Sequence, residues 1–254
     1  MGYKSPIIMQ VAHQDLNLPG LWITSLLQYG NLRQNTPAPL WLCTWSQIFP
    51  NEQVTEQKSC LFVKKLLAVA ISNITYLRAI FPEHAFGDKC LEDLNLKILR
   101  DESSCPGACQ VIKWVKGCFD ALDKKYIYVD PNKPESMIES YSFKFSYKSD
   151  GEVDIYRNNK KISSAYSADA TKTATIRLLR TLIILTNTLT SLPDNVMLTM
   201  KLFYYDDVTP VDYEPPGFKA TNETDFVFEE ETTKIAVGEV DTVMKSFYFL
   251  ENIF

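Results

Sequence analysis

The sequence predicts an α+β fold, and three observations carry that prediction. Apolar residues recur at helical spacing in three stretches, near 55–81, 106–122 and 169–189. Two-residue alternation marks strands at 94–99, 141–147 and 198–204. A proline-rich excursion from residue 206 then leads into two further strand-like pieces, 233–237 and 243–250. With 254 residues, 46% of them hydrophobic, the chain can bury a sizeable core in one or two domains.

Residues 1–44 stand apart. Pro6, Pro19, Pro37 and Pro39 interrupt them, 21–27 is a short apolar run, and Trp41 and Trp45 lie near the end. No period is sustained, so the stretch reads as an extension, partly disordered or partly docked through its tryptophans. Thr55 then supplies an N-cap with Glu56 in the first turn. Leu66, Val69, Ile74, Leu77 and Ile80 form a helical stripe widened by Leu67, Ala70 and Ile71, and Pro82 ends it. A helix this apolar must be largely buried.

Leu94, Leu96 and Ile98 alternate as a strand. Pro106 suits the first turn of a second helix striped by Val111, Val115, Cys118 and Leu122. Tyr141, Phe143, Phe145 and Tyr147 alternate with Ser142, Lys144 and Ser146, the pattern of a strand with one buried and one wet face. Ser149, Asp150 and Gly151 offer a turn from which 153–156 returns as the partner strand. Asp169 is the expected cap of a third helix striped by Ala174, Leu178, Leu182, Leu185 and Leu189, with Pro193 as its stop. Six threonines between 171 and 188 weaken its intrinsic propensity, so packing must hold it.

Catalytic chemistry is not expected. The six cysteines form no C-x-x-C pair and the two histidines, His13 and His84, sit at no paired-ligand spacing, so neither zinc nor a metal site is predicted. The cysteines read as reduced thiols. Cys118 lies on an apolar helical stripe, which suits a core residue rather than a nucleophile, and His84 reads as an exposed loop residue. The glycines are scattered singly and form no phosphate-cradling loop, and no cofactor is implied. Asp206 and Asp207 would point to opposite sides of a strand and suit loop capping better than an acid pair. The sequons at Asn73 and Asn222 read as chance matches, the first inside a buried helix. Net charge is −5 and the lysine pairs are scattered, so tight direct nucleic-acid binding is not expected. No leader is evident, and the apolar run 178–185 is too short to span a bilayer, so no membrane partner is expected.

Several runs resemble the HORMA-domain meiotic chromosome-axis proteins of animals. They are residues 62–69 (FVKKLLAV), 74–78 (ITYLR), 94–100 (LNLKILR), Cys105-Pro106-Gly107, 141–145 (YSFKF) and 198–205 (LTMKLFYY). The most specific is Val208-Thr209-Pro210, Asp212-Tyr213 and Pro215-Pro216-Gly217-Phe218-Lys219. The resemblance runs in one order from about 45 to 247. It implies a HORMA fold: a three-helix layer on a mainly antiparallel sheet, with a core at 45–205 and a C-terminal safety belt at 206–254.

By resemblance, the belt wraps a closure-motif peptide that joins the sheet as a strand beside 197–205, a case of strand addition. The implied binding residues are Leu198, Met200, Leu202 and Tyr204 on the strand, and Asp206, Tyr213, Pro216, Gly217 and Phe218 on the belt. The implied partners are closure motifs of meiotic axis proteins, an AAA+ remodelling ATPase acting on the N-terminal segment, and, indirectly, chromatin-associated axis and cohesin proteins. The implied place is the nucleus, on meiotic chromosomes. The implied task is support of double-strand break formation, synapsis and interhomologue recombination. HORMA adaptors of the spindle checkpoint or translesion synthesis are the alternative. Three departures stand out. The family's long apolar strand after the second helix, which would sit mid-sheet, is cut to 126–129. Residues 1–44 match nothing in the family. The chain stops at Phe254, so assembly through a C-terminal tail motif is not expected.

Overall fold

A computed structural model describes residues 3–13, 21–24, 44–51, 55–101, 104–124, 137–147, 154–157, 160–164, 167–193, 195–203, 209–210, 212–220, 233–242 and 245–253. Three helices are described: α1 (Glu56–Leu77), α2 (Pro106–Lys124) and α3 (Ala168–Thr188). Ten strands accompany them: β1 (Tyr3–His13), β2 (Leu21–Thr24), β3 (Phe86–Leu91), β4 (Leu94–Leu99), β5 (Met137–Tyr147), β6 (Asp154–Arg157), β7 (Lys160–Ser164), β8 (Asn195–Leu202), β9 (Thr233–Asp241) and β10 (Lys245–Ile253). Six form one sheet in the order β2-β8-β1-β5-β10-β9, and each adjacent pair is antiparallel. The fold is the expected α+β arrangement of three helices and an antiparallel sheet.

α1 forms because its first turn is capped and its stripe is wide. The Thr55 hydroxyl accepts from the Lys58 amide at 3.2 Å. Phe62, Val63, Leu66, Leu67, Ala70, Ile71 and Ile74 are all fully buried, so α1 is the centre of the helical layer, against α2, α3, β4 and β10. By length and composition α1 could cross a membrane, but 67% of that window is buried inside the protein, as befits a core helix. Polar groups on it dock the β3–β4 ribbon: the Asn73 side chain accepts from the Lys97 amide at 3.1 Å and donates to the Val69 carbonyl at 2.7 Å, and Ser72 Oγ accepts from the Leu99 amide at 3.2 Å. Asn73 is buried, so its sequon is structural rather than a glycan acceptor. Trp45 does dock, tilted against Phe49 and stacked with Phe62 while its indole donates to the Pro50 carbonyl at 2.9 Å.

The aromatic face of β5 faces this core. Tyr141, Phe143 and Phe145 are fully buried, and Phe143 stacks on Phe249 of β10 at 4.8 Å. The opposite face of β5 is drier than expected: Ser140 and Ser142 are buried as well, since a short side chain in a strand bonded on both sides is shadowed by its neighbours. The return strand is found at 154–157, but it pairs with β7 rather than β5; both sides of β5 are taken by β1 and β10. Asp169 is not the cap of α3. Ser167 holds that position and its side chain accepts from the Ala170 amide at 3.0 Å, leaving Asp169 in the first turn.

Two corrections concern partners. β1 lies between β5 and β8, pairing along nearly its whole length with β5 and through Ile7–His13 with β8. Residues 3–13 thus hold the mid-sheet place that the resemblance assigns to a strand following α2; residues 126–129 lie outside the described residues. The expectation of reduced thiols holds for Cys60, Cys105, Cys109 and Cys118 but fails at Cys90, which is disulfide-bonded. Pairing depends on approach in space, which spacing along the chain does not report.

Candidate functional site

The site is built where β8, α2 and the segment 209–220 meet. Val196, Leu198 and Met200 alternate onto the core face of β8, and Met200 Sδ lies 3.6 Å from Cys118 Sγ of α2. Burial pushes the Cys118 thiol far above its ordinary range, so it stays protonated and inert as a nucleophile. His84 is exposed in its loop as expected, within 3.3 Å of Ser104 Oγ. Among the described residues no group of three or more His, Cys, Asp or Glu could hold a metal ion.

The segment 209–220 is fastened to α2 by three devices. The first is a turn. The Phe218 amide donates to the Pro215 carbonyl at 3.0 Å, with Pro216 and Gly217 between them and Gly217 at φ +86°. Proline at the second position and glycine at the third are what a type II turn requires.

The second device is a notch in α2. A methyl group at Gly117 would stand 2.3 Å from the Pro216 carbonyl oxygen and 2.9 Å from the Phe218 ring. Glycine in mid-helix costs about 1 kcal/mol of helix propensity, and here it lets the crossing backbone lie directly on the helix.

The third is polar. Tyr213 Oη donates to Asp120 Oδ2 at 2.6 Å, and Lys124 Nζ bonds the same carboxylate at 2.8 Å while sitting 4.4 Å over the Tyr213 ring. The Lys124 ammonium and the Tyr213 hydroxyl hold the Asp120 carboxyl below its ordinary range, against a smaller opposing effect of burial.

The chain leaves β8 and rejoins the sheet as β9 and β10 beyond β1 and β5, so the linking segment passes from one side of the sheet to the other. Of the residues anticipated from sequence, Leu198 and Met200 are core residues and Leu202 is half-buried. Tyr213 and Phe218 are half-buried against the core, while Pro216 and Gly217 are exposed at the turn. Tyr204 and Asp206 lie outside the described residues. Sequence reasoning missed Gly117, Asp120 and Lys124. Glycine inside an otherwise regular helical stripe was the available signal for a close backbone approach.

The outer edge of β8 is paired. β2 runs antiparallel to it, with Leu21 opposite Leu198, Trp22 opposite Met197, Ile23 opposite Val196 and Thr24 opposite Asn195. β2 also approaches α2.

The HORMA domain family profile matches residues 59–245, and the chain belongs to that family. Among curated relatives, HORMA domain-containing protein 1 of Canis lupus familiaris is 49% identical over 208 residues, covering 79% of this chain and 53% of the relative. The Homo sapiens protein of that name is 48% identical over 203 residues, covering 77% and 52%. The chain therefore spans about half the length of the curated relatives it matches. A solved structure of C. elegans HTP-2 bound to an HTP-3 closure motif superposes with a TM-score of 0.70 over 83% of this chain and 92% of that one, at 19% identity, which shows the shared fold.

Proposed function

We propose that this chain is a non-enzymatic meiotic chromosome-axis adaptor, working in the nucleus, that holds closure-motif peptides of axis proteins. In this reading the peptide adds as a strand to the outer edge of β8 and the segment 206–254 closes over it as the belt, around a core of 45–205 completed by β1. Leu198, Met200, Leu202 and Tyr204 would form the receiving strand. Asp206, Tyr213, Pro216, Gly217 and Phe218 would set the belt. The solved HTP-2 fold with its closure motif and the HORMA domain-containing protein 1 relatives support this reading.

The observation that carries it is that the outer edge of β8 accepts an extended antiparallel segment while residues 212–220 are fastened to α2. Main-chain hydrogen bonds to such a segment contribute about 0.5–1.5 kcal/mol each, and a belt that must open before release lowers the off-rate. The AAA+ ATPase and the indirect axis and cohesin contacts belong to the same proposal, as do the roles in break formation, synapsis and recombination.

The test is an array of axis-protein tail peptides probed with the full chain. Retention of at least one peptide is expected, with faster release when Tyr213→Phe loosens the belt. Retention with an off-rate indifferent to Tyr213→Phe would refute the belt mechanism.

A further inference from the structure

Strand order is the starting point. β8 is bonded on both sides by one N-terminal stretch, β1 inside and β2 outside. The two strands differ in kind. β1 is 11 residues long and is bonded on both sides, whereas β2 is four residues long and is the outermost strand of the sheet. A short edge strand is the part of a sheet that exchanges most readily.

A second observation comes from β8 itself. Met197 alternates with Val196 and Leu198 and so lies on the face turned away from the core, yet it is only 8% exposed and is no member of that core. Its lateral neighbours are Ala12 and Trp22. A methionine on the outer face of an edge strand would be wet; at this position β8 is bonded on both flanks.

We propose that Leu21–Thr24 is a peptide ligand carried within the chain, occupying the edge of β8 where a foreign peptide would add. The inference rests on the adaptor reading above and deepens it in two ways. It names the ligand class: a short apolar segment of the Leu-Trp-Ile-Thr kind, running antiparallel to β8. It also makes the receptor self-occupied, so that an incoming peptide must displace β2 while β1 stays in the sheet.

The competition has a definite size. A tethered occupant at an effective concentration of about 1 mM, against a free peptide of equal affinity near 10 μM, weakens apparent binding about 100-fold. The probe is a fluorescent peptide of residues 18–27 carrying a lysine tag for solubility, titrated by anisotropy. The proteins are the full chain and its W22P/I23P variant. Consecutive backbone N–H groups point to opposite sides of a strand, so one of the two prolines must remove a bond to β8. The expected result is that the variant binds the probe about 100-fold more tightly than the unmodified chain. Equal, tight binding by both forms overturns the inference while leaving the adaptor reading intact, since the edge would still take a strand. Binding by neither form also overturns it. The adaptor reading fails separately, if the variant retains no axis-tail peptide.

Hydrogen exchange on the unmodified chain needs no variant to fold. Met197 and Leu198 amides point to opposite neighbours, so both exchange slowly if β1 and β2 are in place, at any protein concentration. Rapid exchange at either one, or protection that vanishes on dilution, overturns an intrachain occupant.

Discussion

Replacing Gly117 with alanine pits two effects of opposite sign against each other. Alanine strengthens α2 by about 1 kcal/mol of helix propensity. Its methyl group, however, would stand 2.3 Å from the Pro216 carbonyl oxygen, about 1 Å short of ordinary van der Waals contact. The obstacle is backbone, and that backbone is held by a turn closed at 3.0 Å between Phe218 and Pro215, so a side-chain rotation cannot relieve it. Overpacking of this kind costs about 1–3 kcal/mol, and the cost falls on the docking of 212–220 rather than on the helix. The expected outcome is therefore split. Thermal unfolding of the helical signal is unchanged or slightly raised, while amide exchange at Tyr213 and Phe218 accelerates by roughly 5- to 150-fold. Exchange at those amides indistinguishable from the unmodified chain would refute the claim that Gly117 seats the segment. A uniform loss of stability across α1, α2 and the sheet would refute it too, because the effect would not be local.

Three further outcomes follow from named contacts. Tyr213→Phe removes a hydrogen bond to a partly exposed carboxylate, so it should cost about 1 kcal/mol of segment docking, read as faster exchange at 212–220. Because the Asp120 carboxyl is depressed in the folded state, its contribution is fully present above the ordinary carboxylate pKa. That contribution is lost as pH falls through the lowered folded value. The docked segment should thus hold from neutral pH to about 4 and loosen below that, with Asp120→Asn abolishing the dependence in exchange measurements across pH 3–6. Glu139→Ala strands the Arg78 guanidinium, whose side chain is 4% exposed, and should cost about 3–5 kcal/mol in urea denaturation; a loss below about 1 kcal/mol would deny the pair its structural role.

Local signals in the sequence were well matched to local structure. Thr55, the α2 stripe, Pro106 and the strand 94–99 are where periodicity and capping rules put them, because each depends on neighbours within a turn or two, whereas α1 ends at Leu77, short of the expected Ile80 and Pro82, with Ala79 just beyond it at φ +53°. The stretch 206–218 was legible only as a proline-rich excursion; the turn at Pro215–Phe218 came from the structure. What was not legible is long-range. The Arg78 guanidinium joins Glu139 61 positions away and donates to the Thr190 carbonyl at 2.7 Å, while Tyr141 Oη donates to Glu139 at 2.7 Å. No pattern in the chain announces that α1, β5 and the turn after α3 converge there. β1 was hidden by Pro6, since proline argues against a central strand. The register resolves the conflict: Pro6 pairs only with Lys144, and the second partner strand begins at Ile7, so one side of Pro6 has no ladder bond to lose.

The placement of β1 also bears on how the molecule can change state. The middle of the sheet is assembled from four distant pieces, 3–13, 137–147, 195–202 and 245–253. Closing such separations is slow, so the sheet should be among the last parts to form and among the costliest to open. Fully buried Phe143 and Phe145 lie on β5, next to β1, and Phe247 and Phe249 pack on them from β10 one strand further on, so a motion that removed β1 would uncover one flank of that layer. The segment 209–220 and the four-residue β2 face no such barrier. They are fastened by a turn, a notch and a carboxylate on one side, and by a single edge pairing on the other. On the proposed reading, a strand exchanging at β8 would therefore do so at the outer edge, where β2 is held by one ladder, rather than at β1, which is held by two.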